Sequence, residues 1–329
     1  MPTRRHCILA AALTLLAFTL PAHAQITLFA KPLKIVVGFP PGGSADGLAR
    51  SLAQQLTGLA PAVVVDNKPG AGGRIAIEAV KVAEADGSTL VLTPASMVTV
   101  YPNIYKKLSY DPVSDLLPLG RIAAAAFVVA VGPMVPAEVT SLADFVKWAK
   151  ANPGKASYGS SGAGSIPHFT GVALGKSLGM EWTHVAYKGA APAINDLLGG
   201  QIAANISVVS NALPHIQSGK LRALAISAPQ RSVSLPAVPT FQEAGAKDAA
   251  AVEWFGVFAP ARTPPEVLTR LHHALSLAAR SKAYTDAMTK GAFEPMPAEE
   301  APAVFAAALK AEIARWSQIV KDSGFTPED

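Results

Sequence analysis

This chain of 329 residues has a single cysteine, Cys7, and it falls within the first two dozen positions. Those positions read as an export signal. Arg4 and Arg5 give a positive start, residues 7–20 form a short apolar run, and Pro21-Ala22-His23-Ala24 offers an A-x-A cleavage site. Cys7 lacks the small apolar residues that precede a lipid-attachment cysteine. Removing residues 1–24 leaves an exported chain of about 305 residues (329 less 24) with no cysteine, which excludes disulfides and thiol chemistry. The apolar run is too short to span a membrane, and no later stretch is long enough. Charge of one sign is scarce as well. The 28 lysines and arginines, less Arg4 and Arg5, stand against 23 acids, a net charge of +3 with no basic run. That excludes a nucleic-acid footprint. His168, His184, His215, His272 and His273 show no metal spacing such as H-E-x-x-H, and no paired carboxylates stand out, so no metal site is expected.

What is present is an alternation of β-rich runs and helical patterns along the chain, which predicts an α/β architecture of mainly parallel sheets. Strands are expected at 35–37, 63–66, 89–93, 127–131, 156–158, 183–186, 202–207, 221–226 and 254–258. Helices are expected at 45–59, 74–83, 142–151, 169–178, 191–198 and 212–218. After Phe258 a run of helices closes the chain, with Trp316 as a packing anchor. Two apolar stretches, 118–131 and 252–259, look like crossings between lobes. They divide the mature chain into a first lobe, 25–124 plus 254–329 with the C-terminal helices, and a second lobe, 125–253, of normal domain size. Two linking strands make a hinge, and the cleft between the lobes is the default ligand site.

The most informative stretch is 34–50. A β-branched run ends in Phe39-Pro40-Pro41-Gly42-Gly43, through which neither strand nor helix continues. Ser44 or Asp46 then caps a helix carrying Leu48, Leu52 and Leu56 at four-residue spacing. Strand, glycine turn and helix N-terminus leave free N–H groups at the positive end of a helix dipole, a geometry that attracts anions. The motif recurs in kind in the second lobe, where the glycine/serine loop 159–165 leads to His168, and once more at Tyr187-Lys188-Gly189. Asn67-Lys68-Pro69-Gly70-Ala71-Gly72-Gly73 is a third glycine turn, but Ile75 breaks the dinucleotide spacing G-x-G-x-x-G. Residues 171–177 have three positions between glycines where a phosphate loop has four. No cofactor motif survives. Catalysis has thin support too, since Ala163 stands where G-x-S-x-G needs its second glycine. His168 reads equally as a ligand contact or as hydrogen-bonded scaffolding.

These blocks, in this order, resemble the substrate-binding proteins of tripartite tricarboxylate transporters, also called Bug receptors. The matching stretches are 39–46, 67–73, Tyr110-Asp-Pro-Val-Ser-Asp115, 158–165 with His168, His184-Val-Ala-Tyr-Lys-Gly189, 219–225 and Leu235-Pro-Ala-Val-Pro-Thr240, covering nearly the whole mature chain. The resemblance implies a two-lobed periplasmic-binding-protein fold of the type II, Venus-flytrap kind, with a two-strand hinge. Such a receptor closes on a small carboxylate and passes it to the large and small subunits of a membrane permease. It implies a monomer without a cofactor. Carried over by position, the ligand site comprises Phe39, Gly42, Gly43, Ser44 and Asp46 in the first lobe, with Ser96 after the third strand. In the second lobe it comprises Ser161, Gly164, Ser165, His168 and Gly189. In that family the carboxylate is held mostly by backbone amides and bridging waters.

The chain departs from the family pattern at Arg74 and Ala76, and at Ile202, where an acid usually follows Gly200-Gln201. Losing that acid points to a ligand without an amino group. Two other readings stay open. A co-receptor that docks onto a membrane signalling kinase uses the same trap. An exported serine hydrolase using Ser161 or Ser165 with His168 predicts ester turnover, and it lacks a carboxylate partner for the histidine.

Overall fold

The computed structural model describes residues 29–249, 251–296 and 300–326; the expected export signal and its cleavage site lie outside them. Strand β1 (Leu33–Val37) is nearly all buried, as its β-branched run requires. It leads through Gly42, whose φ of 89° only glycine adopts without strain, into helix α1 (Ser44–Gln55). The apolar stripe of α1, Leu48, Ala49 and Leu52, packs onto the sheet. Strands β2 (Val63–Asn67) and β3 (Thr89–Pro94) flank β1 in parallel, with α2 (Arg74–Lys81) as the crossover between them. Two one-turn helices, α3 (Ser96–Thr99) and α4 (Tyr101–Ile104), follow β3.

Strand β4 (Leu116–Val131) is the longest in the fold, 16 residues. Beyond it come α5 (Leu142–Ala151), β5 (Ser157–Ser160), α6 (Ile166–Leu178), β6 (Thr183–Ala186) and α7 (Ala190–Leu198). The second lobe is completed by β7 (Ala204–Val208), α8 (Val209–Gln217) and β8 (Arg222–Ile226). Strand β9 (Val252–Pro260) returns, and α9 (Pro265–Arg280), α10 (Lys282–Lys290), the short β10 (Glu294–Pro295) and α11 (Pro302–Asp322) close the chain. The strand order is β2-β1-β3-β9-β4-β7-β5-β6, with β8 and β10 also paired to β4.

Strand β4 carries both lobes. Its residues up to Ala126 pair antiparallel with β9, and from Phe127 they pair with β7 and β8. Ala126 faces Val252, the first residue of β9, so the two crossings between lobes lie side by side. The expected parallel pairings hold in the outer strands of each lobe: β1 with β2 and β3, and β5 with β6 and β7. Next to the crossings the pairing is antiparallel, because a strand that leaves a lobe and one that returns must run in opposite senses.

Three boundaries differ from the sequence reading in ways that matter for the site. β5 runs on through Gly159 to Ser160, which shortens the glycine/serine loop. α6 begins at Ile166, with Pro167 in its first turn, where a missing N–H costs nothing, and this puts His168 inside the helix. α8 begins at Val209 rather than 212, because the cap comes from the extended Val208 and not from a polar residue the sequence would advertise. Trp316 is buried and lies 5.9 Å from Phe169, so α11 also packs on the second lobe.

Candidate functional site

Between the lobes lies a small, partly open cavity of about 50 Å³. Phe39, Gly43, Ser44, Ala45 and Pro94 form its first-lobe wall. The crossing strands supply Phe127, Glu253 and Phe255. The second lobe supplies Ser161, Pro167, Ala190, Ser207, Val208 and Asn211. Gly43 is the N-cap of α1, Pro167 lies in the first turn of α6, Ala190 is the first residue of α7, and Val208 is the N-cap of α8. Four helices of nine residues or more therefore turn their positive ends toward one space. None of these four N-caps satisfies its helix through a side chain.

Two polar groups face this space in unusual states. Ser207 is 2 % exposed, and its hydroxyl oxygen makes no hydrogen bond with the described residues. A buried, unpartnered hydroxyl costs about 1–3 kcal/mol, an expense consistent with a ligand that relieves it. Glu253 is 4 % exposed and accepts hydrogen bonds from the Ser96 N–H (3.2 Å) and hydroxyl (3.3 Å). Burial pushes its carboxyl up to about 8; the Ser96 bonds pull the other way, and the charge of Glu312 adds to the rise.

Of the eleven residues singled out by sequence, Phe39, Gly43, Ser44 and Ser161 line the cavity. The others stand behind it. The Gly42 N–H donates to Asp46 Oδ2 (3.0 Å), so the carboxylate reaches back from the first turn of α1 to fix the turn. Asp46 is buried and gripped by Arg50 through Nε (3.0 Å) and Nη2 (2.9 Å). Desolvation raises its carboxyl, but the bonds from Arg50, Gly42 and Asn67 outweigh it and hold the group below the usual range. Ser96 accepts from the Ile166 N–H (3.0 Å) while it donates to Glu253, tying α6 to β9. The Ser165 hydroxyl donates to the Gly162 carbonyl (2.7 Å), and Gly189, at φ 113°, donates to the Ser161 carbonyl (3.1 Å).

His168 accepts from the Gly164 N–H at Nδ1 (3.0 Å) and stacks on His184, with ring centroids 3.8 Å apart and planes 14° from parallel. Burial lowers His168 to about 4; burial and the charge of His168 lower His184 to about 3. Both rings are neutral at pH 7. The serine that meets a histidine is Ser160, 2.7 Å from His184 Nε2, and it is fully buried. Neither Ser161 nor Ser165 is bonded to His168.

Sequence reasoning missed Glu253, Ser207 and Asn211. Glu253 had a readable signal, a charged residue inside an otherwise apolar strand, and Ser207 a weaker one, a hydroxyl beside Ile206 and Val208 in a strand that also holds Asn205. Asn211 had none, since its role depends on the opposite lobe. The Ser44 N–H and hydroxyl both donate to Asn211 Oδ1 (3.1 and 2.7 Å), and Ser44 Oγ lies 2.9 Å from Ser210 Oγ.

A family model described as the tripartite tricarboxylate transporter family receptor matches residues 45–325. The chain belongs to this family. It is 36 % identical to protein BugT of Bordetella pertussis over 297 residues, 90 % of each chain. The solved periplasmic binding protein BugD superposes with a TM-score of 0.85 at 31 % identity, over 91 % of this chain and 99 % of that one. An R. palustris protein solved with adipate gives 0.85 at 32 % identity with the same coverage. MatC from Rhodopseudomonas palustris, with bound malate, gives 0.81 at 28 % over 88 % and 99 %. The receptor therefore has the two-lobed periplasmic-binding-protein fold, acts in the periplasm, and binds a solute rather than transforming one.

Proposed function

We propose that this receptor captures a small carboxylate in the cavity between its lobes and, as a monomer, delivers it to the large and small subunits of a tripartite tricarboxylate-type permease. The observation that carries this reading is the buried, unpartnered hydroxyl of Ser207, a residue of a cavity wall ringed by the N-termini of α1, α6, α7 and α8. The positive dipole ends of the four helices favour an anion, and the hydroxyl supplies a further donor. The solved relatives holding adipate and malate support the same class of ligand.

Phe39, Gly43, Ser44 and Ser161 are the contact residues in this reading, joined by Ser207. Gly42, Asp46, Ser96, Gly164, Ser165, His168 and Gly189 shape the loops that present them. The lobes divide as 25–124 with 254–329 and 125–253, a division supported by the change of β4 partners at Ala126 and Phe127. Export with cleavage near Ala24 belongs to the same reading, and the N-terminal mass of the periplasmic protein tests it.

The direct test of binding is thermal unfolding of the mature protein, refolded to strip bound ligand, against carboxylates, sugars and esters. A ligand at a hundredfold excess over its Kd adds about 2.7 kcal/mol, a rise of several degrees in Tm. A shift with carboxylates supports the reading. No shift with any carboxylate, but one with a sugar or a hydrolysed ester, overturns it.

A further inference from the structure

Glu253 is the one ionisable side chain among the described residues that line the cavity, and it is an acid. No lysine, arginine or histidine lines it with Glu253. The charged groups on the elements packed around Glu253 are committed elsewhere. On β4, Arg121 pairs with Glu300 (2.6 Å) and lies 3.7 Å from Glu312. On α11, Glu312 accepts from the Trp254 indole N–H (2.8 Å). The one-turn helix α3 brings Ser96 and no charge. Near the start of α6, His168 is stacked on His184 and held by Gly164. Both Glu253 oxygens act as acceptors, in bonds of 3.2 and 3.3 Å, long enough to leave the carboxyl open to a better donor.

We propose that the receptor's ligand is a zwitterion, a carboxylate that also carries an ammonium group, with its carboxylate at the helix N-termini and its ammonium against Glu253. This inference rests on the carboxylate-receptor reading and sharpens it. A dicarboxylate would set a second negative charge in a cavity whose lining offers no cation to meet it. An ammonium meets an acceptor there, beside the rings of Phe127 and Phe255, whose faces also attract cations. The missing acid at position 202 suggests the opposite, but Ile202 is buried in the second lobe's small core and does not line the cavity. The acid comes instead from the crossing strand.

Burial leaves the empty receptor's Glu253 largely protonated at pH 7. An ammonium favours the ionised form, so the zwitterion's arrival releases a proton. The test uses the ligand-stripped mature protein and matched probes: L-alanine, L-proline, 4-aminobutyrate and 5-aminopentanoate against propionate, butyrate, succinate and glutarate. At least one zwitterion is expected to bind at least tenfold tighter than its ammonium-free match. Calorimetry at pH 7 in two buffers of different ionisation heat should show a proton released. Glu253→Gln should weaken that zwitterion at least tenfold relative to its ammonium-free match, erasing its advantage, with its ligand-free Tm confirming that it folds. Tighter binding of an ammonium-free carboxylate, with no proton released, overturns this inference and leaves the carboxylate receptor standing. If no carboxylate of either kind binds, both fail.

Discussion

Ser44, at the start of α1, donates its backbone N–H and its hydroxyl to one atom across the cleft, Asn211 Oδ1, at 3.1 and 2.7 Å. In the proposed reading, that side-chain oxygen occupies the donors a ligand carboxylate takes. It also fastens the first lobe to the second without a ligand. Asn211→Ala removes this bond and leaves the short hydroxyl contact between Ser44 and Ser210. The ligand-free variant should adopt a more open form, seen as a larger radius of gyration in small-angle X-ray scattering, and a bound carboxylate should restore the compact one. An unchanged radius in the ligand-free variant would show that Asn211 does not hold the lobes together.

Ser207 offers a cleaner separation of binding from stability. Its hydroxyl has no partner among the described residues, so Ser207→Ala removes no hydrogen bond from the empty receptor. The ligand-free protein should melt at the same temperature or slightly higher, since a buried unsatisfied group is gone. A hydrogen bond to a charged ligand is worth about 1.5–3 kcal/mol, so affinity for the carboxylate should fall by about 10- to 100-fold. Titration calorimetry and thermal melts of the same preparation separate the two effects. Unchanged affinity would remove Ser207 from the site.

The elements that could be read from sequence are those whose cause is local. The turn 39–43 announces itself because proline and glycine forbid continuation, and the strand before it because Ile35, Val36 and Val37 suit a buried sheet. The cavity's second half depends on pairing across long separations. Glu253 reaches the cavity because β9 lies against β4, and Asn211 because α8 faces α1. His168 stays open in sequence for the same reason: ligand contact and hydrogen-bonded scaffolding read equally after a glycine loop, and the ring on β6 that it stacks against is not placed beside it by sequence.

The His168–His184 stack makes a prediction about pH. Both rings titrate far below their ordinary value of 6.5, near 4 and near 3, so the unfolded chain takes up their protons first. Stability they contribute is complete above pH 6.5 and falls as pH drops toward 4, by at most about 1.4 kcal/mol per pH unit for each ring. Glu253 works in the opposite sense. Its carboxyl titrates near 8 when folded and near 4.5 when unfolded, so its contribution grows as pH falls across that span. Urea denaturation between pH 6.5 and 4.5 should therefore show a loss of stability in the wild type and a steeper one in Glu253→Gln. A flat profile in that variant would mean that the histidines are not held neutral by the fold.

Gly164 sets the second-lobe loop against Ile104 of the first lobe. It has φ 67°, and a Cβ built there would lie 1.8 Å from Ile104 Cδ1 and 3.2 Å from its Cγ1, on α4. Gly164→Ala therefore combines left-handed backbone strain of about 1–2 kcal/mol with a steric clash, and a total loss of about 3 kcal/mol is expected. The backbone part cannot be relieved, but the clash can. Ile104→Val deletes the Cδ1 atom in the way and costs about 0.5–1.5 kcal/mol alone. In that background Gly164→Ala should cost at least about 1 kcal/mol less than in the wild type, a coupling that denaturation of the four proteins measures directly. Strict additivity would place the obstacle elsewhere. A coupling of this sign would tie the loop that positions His168 to a first-lobe side chain, showing that the two walls of the cleft are fitted to each other before any ligand arrives.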